Sequence, residues 1–185
     1  ENVTMPLMPR VETSRLLLRP FTAEDLDDFS EILGKPGVMK YLGTDCQPMS
    51  RAETETALRS MIGHWRRHGF GRWAVVSKEG GRLIGCAGLR SYQAVAELVY
   101  LLDEPYWGRG LATEVARACL RFGFETQGFD RIVAFARLRN AASRRVLDKL
   151  GMSFDGETTV FGIHVAQHSL RREEFRPDHS AYEIK

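Results

Sequence analysis

The sequence predicts a mixed α/β fold, an α+β arrangement in which a mostly antiparallel, twisted sheet is flanked by helices. The predicted elements follow the order β, α, α, β, β, β, α, β, α, β, β along 185 residues. The three consecutive strands are joined by short turns, as in an antiparallel meander. The later strand–helix–strand unit needs parallel neighbours, so the sheet is expected to be mixed. This length suits a single domain with a substantial core.

The first half of the chain supplies the meander and two helices. The predicted elements are a strand at 15–21, a helix at 22–33, a loop at 34–48, a helix at 50–67 and strands at 72–77, 83–92 and 94–102. Ser50 and Glu53 form a capping box at the start of the second helix. The tripeptide at 79–81, Glu-Gly-Gly, is typical of a hairpin turn.

The second half supplies the crossover and a final hairpin. The predicted elements are a helix at 111–125, a strand at 131–137, a helix at 140–151 and a hairpin at 152–171 that turns near Gly162. Leu111, Val115, Ala118 and Phe122 recur at helical spacing and predict one buried stripe. We expect one domain at 11–175, with terminal extensions at 1–10 and 176–185, the latter frayed.

Charge and cysteine usage exclude several classes of protein. The formal net charge of +2 is too small to indicate nucleic-acid binding. No apolar stretch approaches the roughly 20 residues that span a bilayer, and residues 1–10 lack a secretory signal, so a cytoplasmic location is expected. Cys46, Cys86 and Cys119 show no disulfide or zinc spacing, and we predict the last two as core residues and no metal site.

The segment at 104–115, Glu-Pro-Tyr-Trp-Gly-Arg-Gly-Leu-Ala-Thr-Glu-Val, points most directly to function. A strand leads into it and a helix leads out. Gly108 and Gly110 lie between them, where free backbone N–H groups gather at the positive end of a helix dipole. Such a turn binds phosphate, so the sequence predicts a phosphorylated cofactor.

Three cofactor loops compete with a plain glycine turn that binds nothing. A Walker loop requires a Gly-Lys-Ser/Thr ending that is absent. A dinucleotide loop requires a third glycine, where this chain has Thr113. A coenzyme A pyrophosphate loop, Gln/Arg-x-x-Gly-x-Gly/Ala, has both glycine positions filled by Gly108 and Gly110.

Three motifs together resemble the GNAT superfamily of N-acetyltransferases, and within it the ribosomal-protein N-terminal (RimJ/RimL-like) branch. The motifs are Thr-Ser-Arg-Leu-Leu-Leu-Arg-Pro-Phe at 13–21, Tyr-Trp-Gly-Arg-Gly-Leu-Ala-Thr-Glu at 106–114 and Asn-Ala-Ala-Ser-Arg-Arg-Val-Leu-Asp-Lys-Leu-Gly-Met at 140–152. They occur in the family's order and the resemblance covers about residues 11–172.

The resemblance implies an acetyl-CoA site between two splayed strands. The strand before the loop is expected to bulge and to leave its neighbour, so that the backbone of Leu101, Leu102 and Asp103 pairs with the pantetheine arm. The pyrophosphate would be held by the loop residues Gly108, Arg109, Gly110, Leu111, Ala112 and Thr113. Pro105 stands where many relatives have Gln or Arg, and proline offers no N–H.

The same resemblance suggests which residues carry the chemistry. Glu97 lies in Ala-Glu-Leu-Val-Tyr, a context similar to that of the base glutamate in histone-modifying relatives, although it could equally be a solvent-facing glutamate. A carboxylate in apolar surroundings takes a proton more readily. A backbone N–H at Val99 or Leu101 would face the oxyanion.

A third part of the machinery concerns the departing thiolate. Leu147 replaces the tyrosine that many members use as the acid, and Ser143 stands where the RimL-like branch has a serine. Ser143 is therefore either a donor to the sulfur or a first-turn serine bonded to the backbone. Asn140 is expected to cap its helix and to contact the pantetheine arm.

The acceptor is expected to be a primary amine. In relatives the groove is framed by the first two helices and the last hairpin, which here contribute the aromatic residues Phe29, Tyr41, Trp65 and Phe161, more often core residues than groove wall, and no cluster of acids. A protein N-terminal α-amine is therefore preferred over a polyamine. A small-molecule amine and a non-catalytic coenzyme A-binding module remain as alternatives, and relatives commonly form homodimers.

Overall fold

The computed structural model describes residues 8–185, which form one nine-stranded sheet and five helices. The strands are Val11–Thr13 (β1), Leu16–Arg19 (β2), Arg72–Ser77 (β3), Leu83–Tyr92 (β4), Val95–Leu102 (β5), Arg131–Arg137 (β6), Ser153–Val160 (β7), Ile163–Arg171 (β8) and Tyr182–Ile184 (β9). The helices are Leu26–Leu33 (α1), Pro36–Met39 (α2), Arg51–His68 (α3), Leu111–Arg121 (α4) and Ala141–Lys149 (α5). The predicted class and element order are confirmed.

Three elements were missed by the sequence patterns. The strands β1 and β9 have three residues each, which is too short for a periodic signal. The helix α2 lies within the predicted loop at 34–48 and has four residues, with Pro36 in its first turn. Proline is favoured there because its missing N–H has no helical partner in any case.

The sheet is mixed, as predicted. The strand order is β7-β8-β6-β5-β4-β3-β2-β1-β9, and every neighbouring pair is antiparallel except β5 and β6. The helix α4 makes the crossover between these two parallel strands, because it follows β5 and precedes β6.

The parallel pair opens after only two residue pairs. Ala96 lies opposite Ile132 and Glu97 opposite Val133, after which β5 and β6 separate. The remaining five residues of β5, at 98–102, therefore have no strand partner on that side. The predicted splay is confirmed, and it leaves a gap whose edge carries unpaired backbone groups.

β5 has no bulge, so the expectation of one is wrong. The pairing between β4 and β5 runs from Gly85 opposite Leu102 to Tyr92 opposite Val95 without a register shift. The two strands pack closely there, because a Cβ on Gly85 would lie 2.1 Å from the carbonyl oxygen of Leu101. The gap therefore arises from the divergence of β6 alone.

Each face of the sheet carries its own apolar core. One core packs α4 and α5 against the sheet and includes Cys119, whereas the other packs α1, α2 and α3 and includes Cys86. Both cysteines are buried free thiols, as predicted. Burial raises the pKa of the Cys86 thiol to about 11, so this thiol stays protonated at neutral pH.

The C-terminus is ordered, contrary to the expected fraying of 176–185. The strand β9 pairs with β1 through Tyr182 opposite Thr13 and Ile184 opposite Val11. Tyr182 packs on the core, and the guanidinium of Arg121 lies 4.5 Å from its ring centre. The sheet therefore extends beyond residue 175, the expected end of the domain. Among residues 8–185, no helix has the length and apolarity to cross a membrane.

Candidate active site

The glycine turn between β5 and α4 adopts the conformation that its glycines predict. Gly108 has φ +71° and Gly110 has φ +76°, both in the left-handed region that other residues rarely adopt. Gly110 is the N-cap of α4 and has no side chain to bond the amides that follow it. The helix therefore begins with its first N–H groups uncovered.

Six consecutive amides at this turn are free. The backbone N–H groups from Gly108 to Thr113 have no hydrogen-bond acceptor among residues 8–185, and the first helical bond runs from Glu114 N–H to the Gly110 carbonyl. Together with the positive end of the α4 dipole, they form a site for an anion such as a pyrophosphate.

Arg15, which the sequence did not single out, anchors the turn from outside. Its guanidinium donates to the carbonyl of Arg109 at 2.8 Å and to a carboxylate oxygen of Glu114 at 2.9 Å. The guanidinium of Arg109 itself points outward to Glu79 at 3.2 Å. Arg109 therefore contributes its amide to the turn, while its charge is shared with an exposed carboxylate.

The backbone groups of Asp103, which were expected to pair with the pantetheine arm, already have hydrogen-bond partners. Its N–H donates to the carbonyl of Ile84 at 2.7 Å, and its carbonyl accepts from the N–H of Tyr106 at 3.0 Å. The N–H of Asp103 is therefore not available to a pantetheine arm, contrary to the expectation. Its carboxylate instead holds the ammonium of Lys35 at 2.8 Å, which ties the turn to the start of α2.

Strand alternation decides which residues of β5 face the gap. Because Asp103 bonds to β4, the alternate residues Leu101 and Val99 also direct their backbone groups to β4. Leu102 and Tyr100 therefore face the open side, and the Leu102 carbonyl accepts from the indole N–H of Trp107 at 2.7 Å. Leu101 and Val99 therefore direct no backbone group into the gap, contrary to the expected pairing of Leu101 and the expected oxyanion donors, whereas the N–H groups of Tyr100 and Leu102 do face it.

Glu97 is buried on the face of β5 that points away from α4 and α5, and there its carboxylate is paired with the guanidinium of Arg90. The two side chains form a fork, with Arg90 Nε 2.7 Å from Oε2 and Nη2 3.0 Å from Oε1. The side chain of Glu97 is only 5% exposed, so it is not the solvent-facing glutamate that was the alternative. It lies at the last residue pair before the gap opens.

A hydroxyl pair lies on the other side of the gap. The Oγ of Ser143 is 2.9 Å from the hydroxyl oxygen of Tyr100, and Asn140 caps α5 by accepting the Ser143 N–H at 3.1 Å. Burial raises the pKa of Tyr100 to about 12. Leu147, which replaces the usual tyrosine, is buried in the core.

The predicted aromatic residues of the acceptor groove divide between core and surface. Phe29 and Trp65 are buried in the two cores and are not groove wall. Phe161 is 69% exposed, and its ring lies 5.9 Å from that of Tyr92. Tyr92 in turn contacts Phe135, with ring centres 5.1 Å apart. Tyr92 at the end of β4, Phe135 on β6 and Phe161 in the last hairpin thus form a row of aromatic rings, which we call the aromatic wall.

Comparison with known proteins identifies the family. The model of the family described as "Acetyltransferase (GNAT) domain" matches residues 15–153, which is most of the chain. The chain belongs to the GNAT acetyltransferase family. The GNAT fold uses acetyl-CoA, and this chain is accordingly an N-acetyltransferase.

Two bacterial relatives match this GNAT chain over most of their length. "Uncharacterized protein YkkB" of Bacillus subtilis (strain 168) is 31% identical over 153 residues, which cover 78% of this chain and 86% of the relative. "Uncharacterized N-acetyltransferase YoaA" of the same organism is 30% identical over 158 residues, with 81% and 86% covered.

Solved structures support the same GNAT fold. A GNAT-family acetyltransferase from Bacillus anthracis superposes with a TM-score of 0.78 at 23% identity and covers 89% of this chain and 99% of its own. RimL, titled a ribosomal L7/L12 alpha-N-protein acetyltransferase in complex with coenzyme A, gives 0.74 at 17% identity, with 90% and 97% covered. At these identities the likeness concerns the fold.

Four residues of this GNAT site were not predicted: Arg15, Arg90, Tyr100 and Trp107. The contacts of Arg90 and Tyr100 depend on the strand face and register, and those of Arg15 and Trp107 on tertiary packing, which no local motif encodes. Among residues 8–185, no group of three or more His, Cys, Asp or Glu side chains is placed to hold a metal ion.

Proposed function

We propose that this enzyme transfers the acetyl group of acetyl-CoA by direct attack of a primary amine, and that the amine is a protein N-terminal α-amine, as in the RimJ/RimL-like branch. The observation that carries the proposal is the set of six free amides from Gly108 to Thr113 at the mouth of the gap between β5 and β6. An anionic, elongated cosubstrate fits both features, since phosphates bind helix N-termini and an amide-bearing arm pairs with a free strand edge.

The residues that would hold acetyl-CoA follow from this geometry. The amides of the turn face the pyrophosphate, and the pantetheine arm lies along the backbone N–H and carbonyl of Tyr100 and the N–H of Leu102, whose carbonyl already accepts from Trp107. Pro105 lies in a short 3₁₀ turn ahead of the glycines, so its missing N–H leaves the six amides intact. Acetyl-CoA supplies the activated acetyl thioester, and the chain supplies position and proton transfer.

Glu97 is proposed to take the proton of the attacking amine. An α-amine has a pKa of about 7.7–8.0, so a substantial fraction is protonated at neutral pH and must lose a proton before attack. Glu97 is the carboxylate that lies where the gap opens, and the fork with Arg90 fixes its orientation. The proton passes to its carboxylate directly or through a water molecule.

Ser143 is proposed to donate a hydrogen bond to the departing thiolate, with Tyr100 behind it. The two hydroxyls are 2.9 Å apart, so Tyr100 can donate to Ser143 Oγ while Ser143 donates to the sulfur, and both hydroxyls keep their protons. This pair supplies the hydrogen bond to the thiolate that many members obtain from a tyrosine, because Leu147 stands at that position and is buried in the core. Asn140 holds Ser143 through its backbone N–H.

The choice of acceptor rests on the groove and on two named structural neighbours. Two solved neighbours are named as acting on ribosomal proteins: RimL, an alpha-N-protein acetyltransferase, at a TM-score of 0.74, and a ribosomal-protein-S5-alanine acetyltransferase from Vibrio fischeri at 0.73. A small-molecule amine is the second candidate, because the aromatic wall of Tyr92, Phe135 and Phe161 suits either acceptor.

Release of free thiol from acetyl-CoA tests the proposal. The acceptors are peptides with a free N-terminus, the same peptides blocked at the N-terminus, peptides whose only amine is a lysine side chain, free amino acids and a polyamine. We expect release above hydrolysis with free N-termini and none with blocked ones. Selective release with amino acids would favour the small-molecule candidate. Acetyl-CoA binding without release for any amine would contradict transfer and support a non-catalytic module.

A further inference from the structure

Arg72 is a half-buried arginine whose side chain has no hydrogen-bond or ion-pair partner in the described part of the chain. It lies on the face of the sheet that carries Glu97, which we call the acceptor face. Arg72 lies opposite Gly88, which lies opposite Val99, so the three residues form one row across β3, β4 and β5. Arg90 and Glu97 form another row of the same face, two residues further along. The Arg72 side chain has no hydrogen bond or ion pair with any side chain or backbone group of residues 8–185.

The β5 end of this row, at Val99, borders the point where the sheet opens. The last β5–β6 pair is Glu97 with Val133, and Val99 is the second residue beyond it. Two residues of a strand span about 7 Å and two inter-strand spacings span about 10 Å, so the backbone of Arg72 lies roughly 12 Å from that of Glu97, within the span of one acceptor that contacts both side chains. Gly88 adds no side chain between them, and the nitrogens of Arg72 are not sealed from solvent. The guanidinium is therefore partly open to solvent.

The local charge balance is positive. Arg90 and Glu97 neutralise each other, and Arg72 is left without a counter-charge. Burial lowers the pKa of Arg72, which reflects the cost of a desolvated cation. Such a charge is tolerated where water or a ligand supplies the missing acceptors.

We propose that Arg72 binds a carboxylate of the acceptor, placed a few bonds from the amine that Glu97 deprotonates. This inference rests on the proposed N-acetyltransferase function and names the class of acceptor. The planar guanidinium pairs with a carboxylate through two parallel hydrogen bonds, which orients the acceptor as well as holding it. The carboxylate belongs either to a free amino acid or to an acidic side chain near a peptide N-terminus.

Matched acceptors distinguish these two sources. Peptides that differ only by aspartate or asparagine at the second position test the acidic side chain, and amino acids paired with their amides test the free carboxylate. The measured quantity is the ratio of kcat/KM for the acidic acceptor to kcat/KM for its neutral partner. We expect a ratio above one with wild type for one of the two pairs.

Substitution of Arg72 tests the residue itself. Arg72→Gln is expected to lower the ratio by about tenfold or more, as for the loss of one charge-assisted hydrogen bond. Arg72→Lys should retain part of it. Arg66→Gln is the matched control, since it removes the same charge from an exposed residue of α3 and should leave the ratio unchanged. A thermal midpoint of Arg72→Gln no lower than wild type would show that Arg72 is not a structural residue.

The inference and the proposed function fail in different ways. If neutral amines are acetylated and both ratios stay at one, or if Arg72→Gln leaves the preferred ratio unchanged, the carboxylate site is overturned and acetyl transfer stands. If no amine of either kind releases thiol while acetyl-CoA still binds, the proposed function itself is overturned.

Discussion

At the scale of single residues, strand alternation separates the two groups to which the proposed mechanism assigns proton transfer and thiolate stabilisation. Glu97 and Tyr100 lie three residues apart on β5 and therefore point to opposite faces of the sheet. The carboxylate faces the acceptor side, and the hydroxyl faces α5. A single strand thus places a proton acceptor and a proton donor on the two sides of the gap where the amine and the thiol would meet.

Glu97→Gln tests the proton acceptor. We expect kcat to fall by about 100-fold or more, as for loss of a general base, while the affinity for acetyl-CoA stays near wild type. Arg90→Gln and the double variant separate chemistry from positioning. If Glu97 only holds Arg90, then removing Arg90 should cost as much as removing both and Glu97→Gln should add nothing to it. Full activity of Glu97→Gln alone would exclude the base role.

Tyr100→Phe tests the hydroxyl pair. With a pKa of about 12, Tyr100 stays protonated throughout a normal assay range and can act as a donor. We expect kcat to fall by about tenfold or more, and Ser143→Ala combined with Tyr100→Phe to cost no more than Ser143→Ala alone, because the two act in series. Tyr41→Phe is the control for the loss of a hydroxyl elsewhere. Additive losses would contradict a relay.

At the scale of elements, the start of α4 is the feature that local sequence predicts best. A left-handed N-cap calls for glycine, so Gly108 and Gly110 are visible in the sequence itself. The Glu97–Arg90 pair is hidden, because the β4–β5 hairpin turns on Gln93 and Ala94, with φ +44° and +62°. Such a turn lacks the Asn-Gly or Gly-Gly signal that would reveal the register. The Tyr100–Ser143 contact spans 43 residues and depends on tertiary packing alone.

Gly110→Ala tests the turn that begins α4. Alanine in the left-handed region costs about 1 kcal/mol or slightly more, and a Cβ at this position would lie 3.5 Å from Arg15 Nη2. We expect weaker acetyl-CoA binding, measured by calorimetry, because the free amides shift. Gly80→Ala is the control: it has φ +83° in the β3–β4 turn and open space around it. Equal affinity losses in both variants would refute a specific role for the turn.

His64 connects α3 to the end of β4 and makes this contact sensitive to pH. Its Nε2 accepts from the Ser91 N–H at 3.0 Å and its Nδ1 lies 2.8 Å from the Phe70 carbonyl, so both bonds need the neutral ring with a proton on Nδ1. Desolvation lowers the pKa of His64 below its ordinary value near 6.5. The unfolded chain therefore binds the proton more readily than the folded one.

The stabilisation from neutral His64 is complete above pH 6.5 and declines as pH falls toward the lower folded pKa. Urea unfolding at pH 7.5 and pH 5.5 should show a larger loss of unfolding free energy for wild type than for His64→Gln. His168, whose pKa burial also lowers, contributes equally to both proteins and cancels in the comparison. An identical pH dependence in the two proteins would contradict the assignment.

At the scale of the whole molecule, the C-terminal segment links the two ends of the sheet. It leaves β8 beside the far edge strand, crosses α4 and adds β9 to the outer side of β1. Phe175 contacts Phe124, with ring centres 5.1 Å apart, and Tyr182 packs against Arg121 of α4. The segment therefore holds the helix whose N-terminus forms the anion site.

Tyr182→Ala tests whether this segment stabilises the domain. Loss of its packing on α4 should lower the free energy of unfolding by about 1–3 kcal/mol, the range for a mutation that leaves a gap in packed structure, with a lower midpoint in urea. Ile184→Thr is the control, because Ile184 is 40% exposed and threonine keeps the strand propensity of β9. Acetyl-CoA affinity should stay near wild type in both variants under native conditions, since neither residue borders the gap. A Tyr182→Ala protein as stable as wild type would show that Tyr182 does not stabilise the domain.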